Sequence, residues 1–457
     1  MSDAVDPHLG GMPTGRRTRS CATELFCPRC DFHAELTETT FRCPQCDTGL
    51  DVAYDYELAK ARLAELPMGE RPWNVWRFEE LMPITSRAAA DRVARFAGQT
   101  PLIRAERLGA ELGLRNLYVK DDSTNRPSLS YKDRVVGMAV ARALELGASE
   151  IGCVSTGNVG TATASLAAAA GIKPYVFYPA NLERAKARGC RALGAQVIQV
   201  DGNYDEANRA CRELTENTGI PFTNISLRPF YAEGAKSLAY ELVEDLGWRS
   251  PDHVVMPAAG GTLSSRVHKG LVEFGKLGLA ETEATKLHVG QPTGCSPIAT
   301  TIIEGSEEIV AQQPETLAHS LAIGAPGDGP LVVEAGRGRG GSAAMVPDGE
   351  ILEAMELLAG TEEQKKRFLP EIADGTSKFA IAVTEPAGGT TVAATMKLAQ
   401  RGEIGRDDVT VIVISGNGLK TLSEQPVKPW PEGVPCNATT MEEVVVEFRE
   451  GGVTSRA

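Results

Sequence analysis

Between Gln99 and about Ser423 the chain alternates short apolar runs with longer amphipathic stretches. The runs at 116–119, 151–154, 174–178, 196–200, 253–257, 286–289 and 410–414 are β-branched or apolar. Their length suits buried strands rather than helices. Alanine-rich segments of helical length separate them. That alternation predicts an α/β fold with mostly parallel sheets and helices on both faces. Residues 51–98 mix helix-like segments with Trp73, Trp76 and Phe78 and read as an arm leading into the body. Residues 1–20 are polar and predicted to be disordered. Residues 426–457 carry Pro429, Pro431 and Pro435 before an acidic end and read as a peripheral tail.

Composition narrows the function classes. A chain of 457 residues with 42% hydrophobic and 23% charged positions can bury a large core. Its net charge of -13 argues against nucleic acid or an anionic membrane as partner, since both would repel it. A local basic pocket could still hold an anionic metabolite. No stretch reaches the 18 or so apolar residues of a membrane span. Arg16-Arg17-Thr18-Arg19 is not followed by an apolar run, so no secretory signal is expected. Ten cysteines in such a chain then point to reduced thiols or metal ligation, and to the cytoplasm.

Four of the cysteines are organised. Cys27-Pro-Arg-Cys30 and Cys43-Pro-Gln-Cys46 are two C-x-x-C knuckles with twelve residues between them. Each knuckle puts two thiolates on one turn, and two facing knuckles close a tetrahedral zinc site with all four positions filled. This predicts a structural zinc ribbon over 21–50, a segment too small to bury a core of its own. A structural zinc supplies about 10–16 kcal/mol of folding free energy. Arg29, Arg42 and His33 make only a thin basic patch, so an interaction or packing role is expected for the ribbon rather than nucleic-acid binding.

Three loops carry phosphate-binding composition. Ser155-Thr156-Gly157-Asn158-Val159-Gly160 follows the run 151–154, Ala258-Ala259-Gly260-Gly261-Thr262 follows 253–257, and Ser415-Gly416-Asn417-Gly418 follows 410–414. Loops at the carboxyl ends of parallel strands converge on one side of a sheet. Where such a loop opens a helix, its N–H groups favour an anion. Lys132, in Asn125-Arg126-Pro127-Ser128-Leu129-Ser130-Tyr131-Lys132-Asp133-Arg134, sits at a predicted loop-to-helix junction. An amine beside a phosphate cradle is what pyridoxal phosphate (PLP) requires. Rival motifs fail: no G-x-G-x-x-G opens a helix, no G-x-S-x-G occurs, and Gly270…Gly275-Lys276 lacks the P-loop hydroxyl because Leu277 follows. Cys153, Cys190 and Cys211 read as buried small residues; Cys295 could line a site. His268 and His288 read as structural.

These residues resemble the threonine synthases, PLP enzymes of the tryptophan-synthase β-subunit fold. The resemblance spans about 21–425, zinc ribbon included. It implies a catalytic domain over 99–425, with a smaller subdomain at about 135–225 inserted in the larger one. It places the cofactor-linked, catalytic lysine at Lys132. Asn158 would meet the cofactor's ring hydroxyl, Gly260, Gly261 and Thr262 its phosphate, and Ser415 its ring nitrogen. Ser155, Thr156 and Gly157 would take the substrate carboxylate. Lys120, Arg134 and Arg228 are the candidate cations for a leaving phosphate. Burial would lower the pKa of Lys132. The implied reaction turns O-phospho-L-homoserine and water into L-threonine and phosphate. Arg228-Pro-Phe-Tyr-Ala-Glu233-Gly234-Ala-Lys236, Gly294-Cys-Ser-Pro297, Ile323-Gly324 and Glu385-Pro-Ala-Gly388-Gly389 also match the family. Departures are Arg126 for Asn, Ser128 for Thr, Tyr131 for Phe and Ser415 for Thr. Two alternatives stay open: a related PLP lyase or synthase acting on another activated amino acid, and a catalytically inactive zinc-ribbon interaction protein. Oligomeric state is not fixed by the residues, although the resemblance implies a homodimer.

Overall fold

Each of the seven apolar runs forms a strand in a computed structural model that describes residues 17–37, 40–93, 97–155, 157–179, 184–201, 204–359 and 385–417. The tail 426–457, the N-terminal stretch up to residue 16, the segment 361–384 and Thr156 lie outside the described residues. The strands are β5 (Asn116–Asp121), β6 (Glu150–Val154), β7 (Lys173–Pro179), β8 (Gln196–Val200), β9 (His253–Pro257), β10 (Lys286–Pro292) and β12 (Val409–Ile414). Two short strands were not legible as apolar runs: β4 (Leu102–Arg104) and β11 (Ala343–Val346).

The larger sheet has the order β11-β10-β9-β12-β5-β4, parallel throughout except for the antiparallel edge strand β4. Every residue of β9 is buried. A central parallel strand covered on both faces needs such an unbroken apolar run. The smaller sheet, β6-β7-β8, is all parallel and lies in sequence between β5 and β9. Its edge is closed by the chain at 221–223, which hydrogen-bonds both sides of Gly152. The strand last in sequence, β12, inserts between β9 and β5. The chain therefore leaves in opposite directions on either side of the β9–β12 boundary, which opens a crevice at the strands' carboxyl ends.

The cysteine segment forms an antiparallel sheet of order β2-β1-β3, made of β1 (Ala22–Phe26), β2 (His33–Glu35) and β3 (Asp51–Tyr54). Its sheet thus runs on to Tyr54. Asp51 docks it on helix Thr262–Leu277 through Arg266 at 2.5 Å and Lys269 at 2.7 Å, and Tyr54 donates to Glu233 at 2.7 Å. Phe78 of the arm enters the main core, 5.3 Å from Tyr240 and 5.1 Å from Phe274 between ring centroids. Trp73 stays exposed with the Arg77 guanidinium over its ring. Among the described residues no helix is long and apolar enough to cross a membrane.

Candidate active site and metal centre

The loop before helix Lys132–Glu145 is held to the end of β12 by backbone pairing. Tyr131 N–H donates to the Ser415 carbonyl at 3.0 Å, Asn417 N–H to the Leu129 carbonyl at 3.1 Å, and Ser130 bridges Gly416. Asp133 stiffens the same loop by accepting from Ser128 N–H at 2.9 Å. This pairing sets Lys132 beside Ser415, two residues nearly three hundred positions apart in the chain.

Both line a cavity of about 660 Å³, together with Ser155, Asn158, Arg228 and the segment Gly260–Thr262. The three strand-end loops and the Lys132 segment thus converge on one cavity, although the Ser155 loop follows β6 of the smaller sheet and the other two follow strands of the larger one. Gly261 adopts φ +94°, and a Cβ there would lie 2.9 Å from the backbone of Asp328, so only glycine fits without displacement. Helix Thr262–Leu277 starts at the cavity with no side-chain cap on its first N–H groups. An uncapped helix start on a glycine turn is a fitting socket for a phosphate. Asn158 donates to Glu385 at 2.7 Å, and Gly416 lies so close that a Cβ would be 2.5 Å from that carboxylate.

Lys132 is half-buried and its amine donates to the Tyr131 hydroxyl at 2.5 Å. The expectation of a lowered pKa is corrected here. Desolvation does push it down, but the phenol oxygens of Tyr131 and Tyr231 outweigh that, and the amine lies above the ordinary lysine value. Burial pushes the Tyr231 phenol itself up to about 12. Ser155 is buried, and its hydroxyl accepts from Gly157 N–H at 2.9 Å and Gly160 N–H at 2.7 Å. That hydroxyl orders the turn, and Ser155 N–H itself donates to the Phe177 carbonyl at 2.9 Å.

Two of the three candidate phosphate cations lie elsewhere. Lys120 is fully buried between Glu241 at 2.9 Å and Asp245 at 2.8 Å. Arg134 is fully buried too, on Asp122 at 2.7 Å and on Glu241, with Thr100 and Ser237 completing its donors. Burial would raise the Glu241 carboxyl, but Arg134 and Lys120 hold it down at about 2. Neither cation lines the cavity, so their assignment to substrate is withdrawn; a buried cation is retained by paired carboxylates. Arg228 does line it, donating to Thr262 Oγ1 at 2.9 Å and pairing with Asp328 at 2.5 Å. Cys295 is buried and lies away from the cavity lining. His288 is a structural group: burial lowers it to about 3, and it bonds His253 at 2.9 Å.

Residues missed from the sequence also line the cavity. Phe41, Arg42 and Gly49 come from the cysteine ribbon, and Tyr204, Asn208, Arg209 and Arg212 from helix Tyr204–Thr218. The i, i+4, i+8 spacing of Tyr204, Asn208 and Arg212 was the available signal.

In the ribbon, the four thiols of Cys27, Cys30, Cys43 and Cys46 lie within 4.8 Å of one another. Sulfur separations of 3.5 Å (Cys27–Cys46), 3.4 Å (Cys30–Cys43) and 3.9 Å (Cys30–Cys46) bracket the ~3.8 Å edge of a tetrahedron with ~2.3 Å metal–sulfur bonds. The donor set fits zinc.

Comparison with known proteins identifies the family. The profile of the family "Pyridoxal-phosphate dependent enzyme" matches residues 93–416. The threonine synthase of Methanocaldococcus jannaschii is 33% identical over 430 residues, covering 92% of this chain and 99% of that protein. The threonine synthase of Methanosarcina acetivorans is 34% identical over 399 residues, covering 87% and 92%. Diaminopropionate ammonia lyase of Escherichia coli superposes with a TM-score of 0.58 at 17% identity, over 73% of this chain and 89% of its own, a likeness of fold. By this extent and identity, the chain belongs to the pyridoxal-phosphate-dependent enzymes and, within them, to the threonine synthase family.

Proposed function

We propose that the protein converts O-phospho-L-homoserine and water to L-threonine and phosphate, with Lys132 as the catalytic residue. The observation that carries this reading is the convergence of Lys132, the uncapped Gly260–Gly261–Thr262 helix start and Ser415 on one cavity. When bound, PLP supplies an aldehyde that condenses with amines and a ring that takes up the electrons released at Cα. Gly260, Gly261 and Thr262 hold its phosphate. Asn158, oriented by Glu385, meets the ring hydroxyl, and Ser415 offers the ring nitrogen a neutral hydroxyl. The Lys132 amine moves protons at Cα and Cβ of the substrate. Its neighbours Tyr131 and Tyr231 keep a proton on or near that amine. The loop from Ser155 to Gly157 receives the substrate carboxylate. Structural zinc on Cys27, Cys30, Cys43 and Cys46 keeps the ribbon folded, and reduced thiols there suit the cytoplasm.

The experiment is an assay of purified protein with PLP and O-phosphohomoserine, following phosphate and threonine together. Equal release of both is expected. Phosphate without threonine, or neither product, would overturn the substrate assignment. Lys132→Ala should abolish turnover and the visible absorption of bound cofactor; a yellow, active variant would remove Lys132 from its role.

A further inference from the structure

The proposed substrate carries a phosphoryl group that leaves during the reaction, and a departing dianion needs cations. Lys120 and Arg134 are spent on buried carboxylates, and Arg228 is paired with Asp328. Among the described residues lining the cavity, the remaining guanidiniums are Arg42, Arg209 and Arg212. They come from two elements distant in sequence.

Arg42 stands next to Cys43 on the second knuckle of the ribbon. It grips Asp47 in a two-pronged pair, Nε at 2.5 Å and Nη2 at 2.7 Å. Asp47 also lies within electrostatic reach of Arg212. Arg42, Arg209 and Arg212 bring three guanidiniums to one cavity in a protein of net charge -13. The Nε of Arg212 and Oδ1 of Asn208 are both buried with no hydrogen-bond partner. A buried donor left unmade is costly, and an arriving ligand oxygen would satisfy it. The ribbon is seated firmly enough to present Arg42. Phe41 packs on the small sheet's core with Val154, Phe177 and Phe222, and Arg142 donates to the Leu36 carbonyl.

We infer that Arg42, Arg209 and Arg212 form a phosphoryl-binding site in the cavity wall, one of its three arginines supplied by the cysteine ribbon. The identity of the anion rests on the function proposed above; the site itself does not. Arginine's planar fork suits a phosphate monoester, taking two oxygens at once. The ribbon is then part of the substrate site as well as a packing module.

The test uses the PLP-loaded enzyme, so that the cofactor fills the inner anion socket, and inorganic phosphate as the probe in a calorimetric titration. Arg212→Gln should weaken phosphate binding about tenfold or more, as expected for loss of a charge-assisted hydrogen bond. Arg209→Gln, at an exposed position where the fold does not depend on the side chain, and Arg42→Gln should act in the same direction. Arg212→Lys should recover part of the loss. The KM for O-phosphohomoserine should rise with the phosphate dissociation constant, while cofactor absorption stays unchanged. Phosphate affinity indifferent to all three glutamine variants would overturn the inference, even with threonine synthesis intact. Arginine-dependent phosphate binding without threonine formation would sustain this site and overturn the proposed function instead.

Discussion

Lys120 and Arg134 share three carboxylates, Asp122, Glu241 and Asp245, and have no exposed surface. Arg42 pairs with Asp47, which Arg212 also reaches electrostatically, and both line a cavity together with Arg209. The first group is charge-compensated to excess and ties β5 to helices Lys132–Glu145 and Lys236–Asp245. The second lines a cavity and is open to solvent in part. A basic residue of this fold therefore serves structure or ligand according to the count of carboxylates around it. Arg134 follows Lys132 by two positions, so the buried network also anchors the start of the helix that carries the Lys132 amine.

Metal removal separates the two groups most sharply, since Arg42 depends on the ribbon and Arg134 does not. A structural zinc contributes about 10–16 kcal/mol to folding such a segment, far more than its few buried side chains can replace. Treatment with a strong chelator should open the ribbon to proteolysis between Cys27 and Cys46 and weaken phosphate binding, with the main body still resistant. A ribbon that stays protected after complete metal loss would break the link between metal and Arg42.

Arg134→Ala attacks the other group. It leaves Asp122 buried without its cation and Glu241 with Lys120 alone, and breaking a buried pair in this way costs about 3–5 kcal/mol. The urea midpoint should fall accordingly, and cofactor affinity with it, because the Lys132 helix loses its anchor. An unchanged midpoint would mean that the network is dispensable.

Legibility in the sequence followed distance along the chain. The seven long strands were readable because runs such as His253-Val254-Val255-Met256-Pro257 are buried on both faces and so lack polar alternation. The strand Leu102–Arg104 escaped because it is short and its last two residues are exposed; Ala343–Val346 escaped because two of its four residues are alanine. The loops around Gly157, Gly261 and Ser415, and Lys132 itself, were readable because each takes its meaning from the strand or helix beside it. The cations were not. Lys120 lies 125 residues from Asp245, and Arg134 lies 107 from Glu241, so their partners are a property of the folded chain. Arg42 looked like part of a thin patch on a separate module, whereas the ribbon's docking on Arg266 and Lys269 accompanies its place in the cavity wall.

Lys132 stands between the two groups: a basic residue inside the cavity whose neighbours are phenols instead of carboxylates. Tyr131 occupies a position where the family resemblance led us to expect phenylalanine, and its hydroxyl accepts from the lysine amine at 2.5 Å. Desolvation lowers the amine's pKa; the two tyrosines raise it above the ordinary value. Removing one phenol removes part of the raising influence, so in Tyr131→Phe the amine should deprotonate at lower pH. Cofactor capture needs the neutral amine. In apoprotein, the rate of PLP uptake, followed by visible absorption, should therefore rise with pH through a midpoint shifted downward. Tyr231 still raises the amine in this variant, so the shift removes only part of the elevation. The opposite shift, or none, would show that the Tyr131 hydroxyl does not control this proton. The amine would then behave as the desolvated lysine that the sequence alone predicted, and the phenol would be one more packing group in the wall.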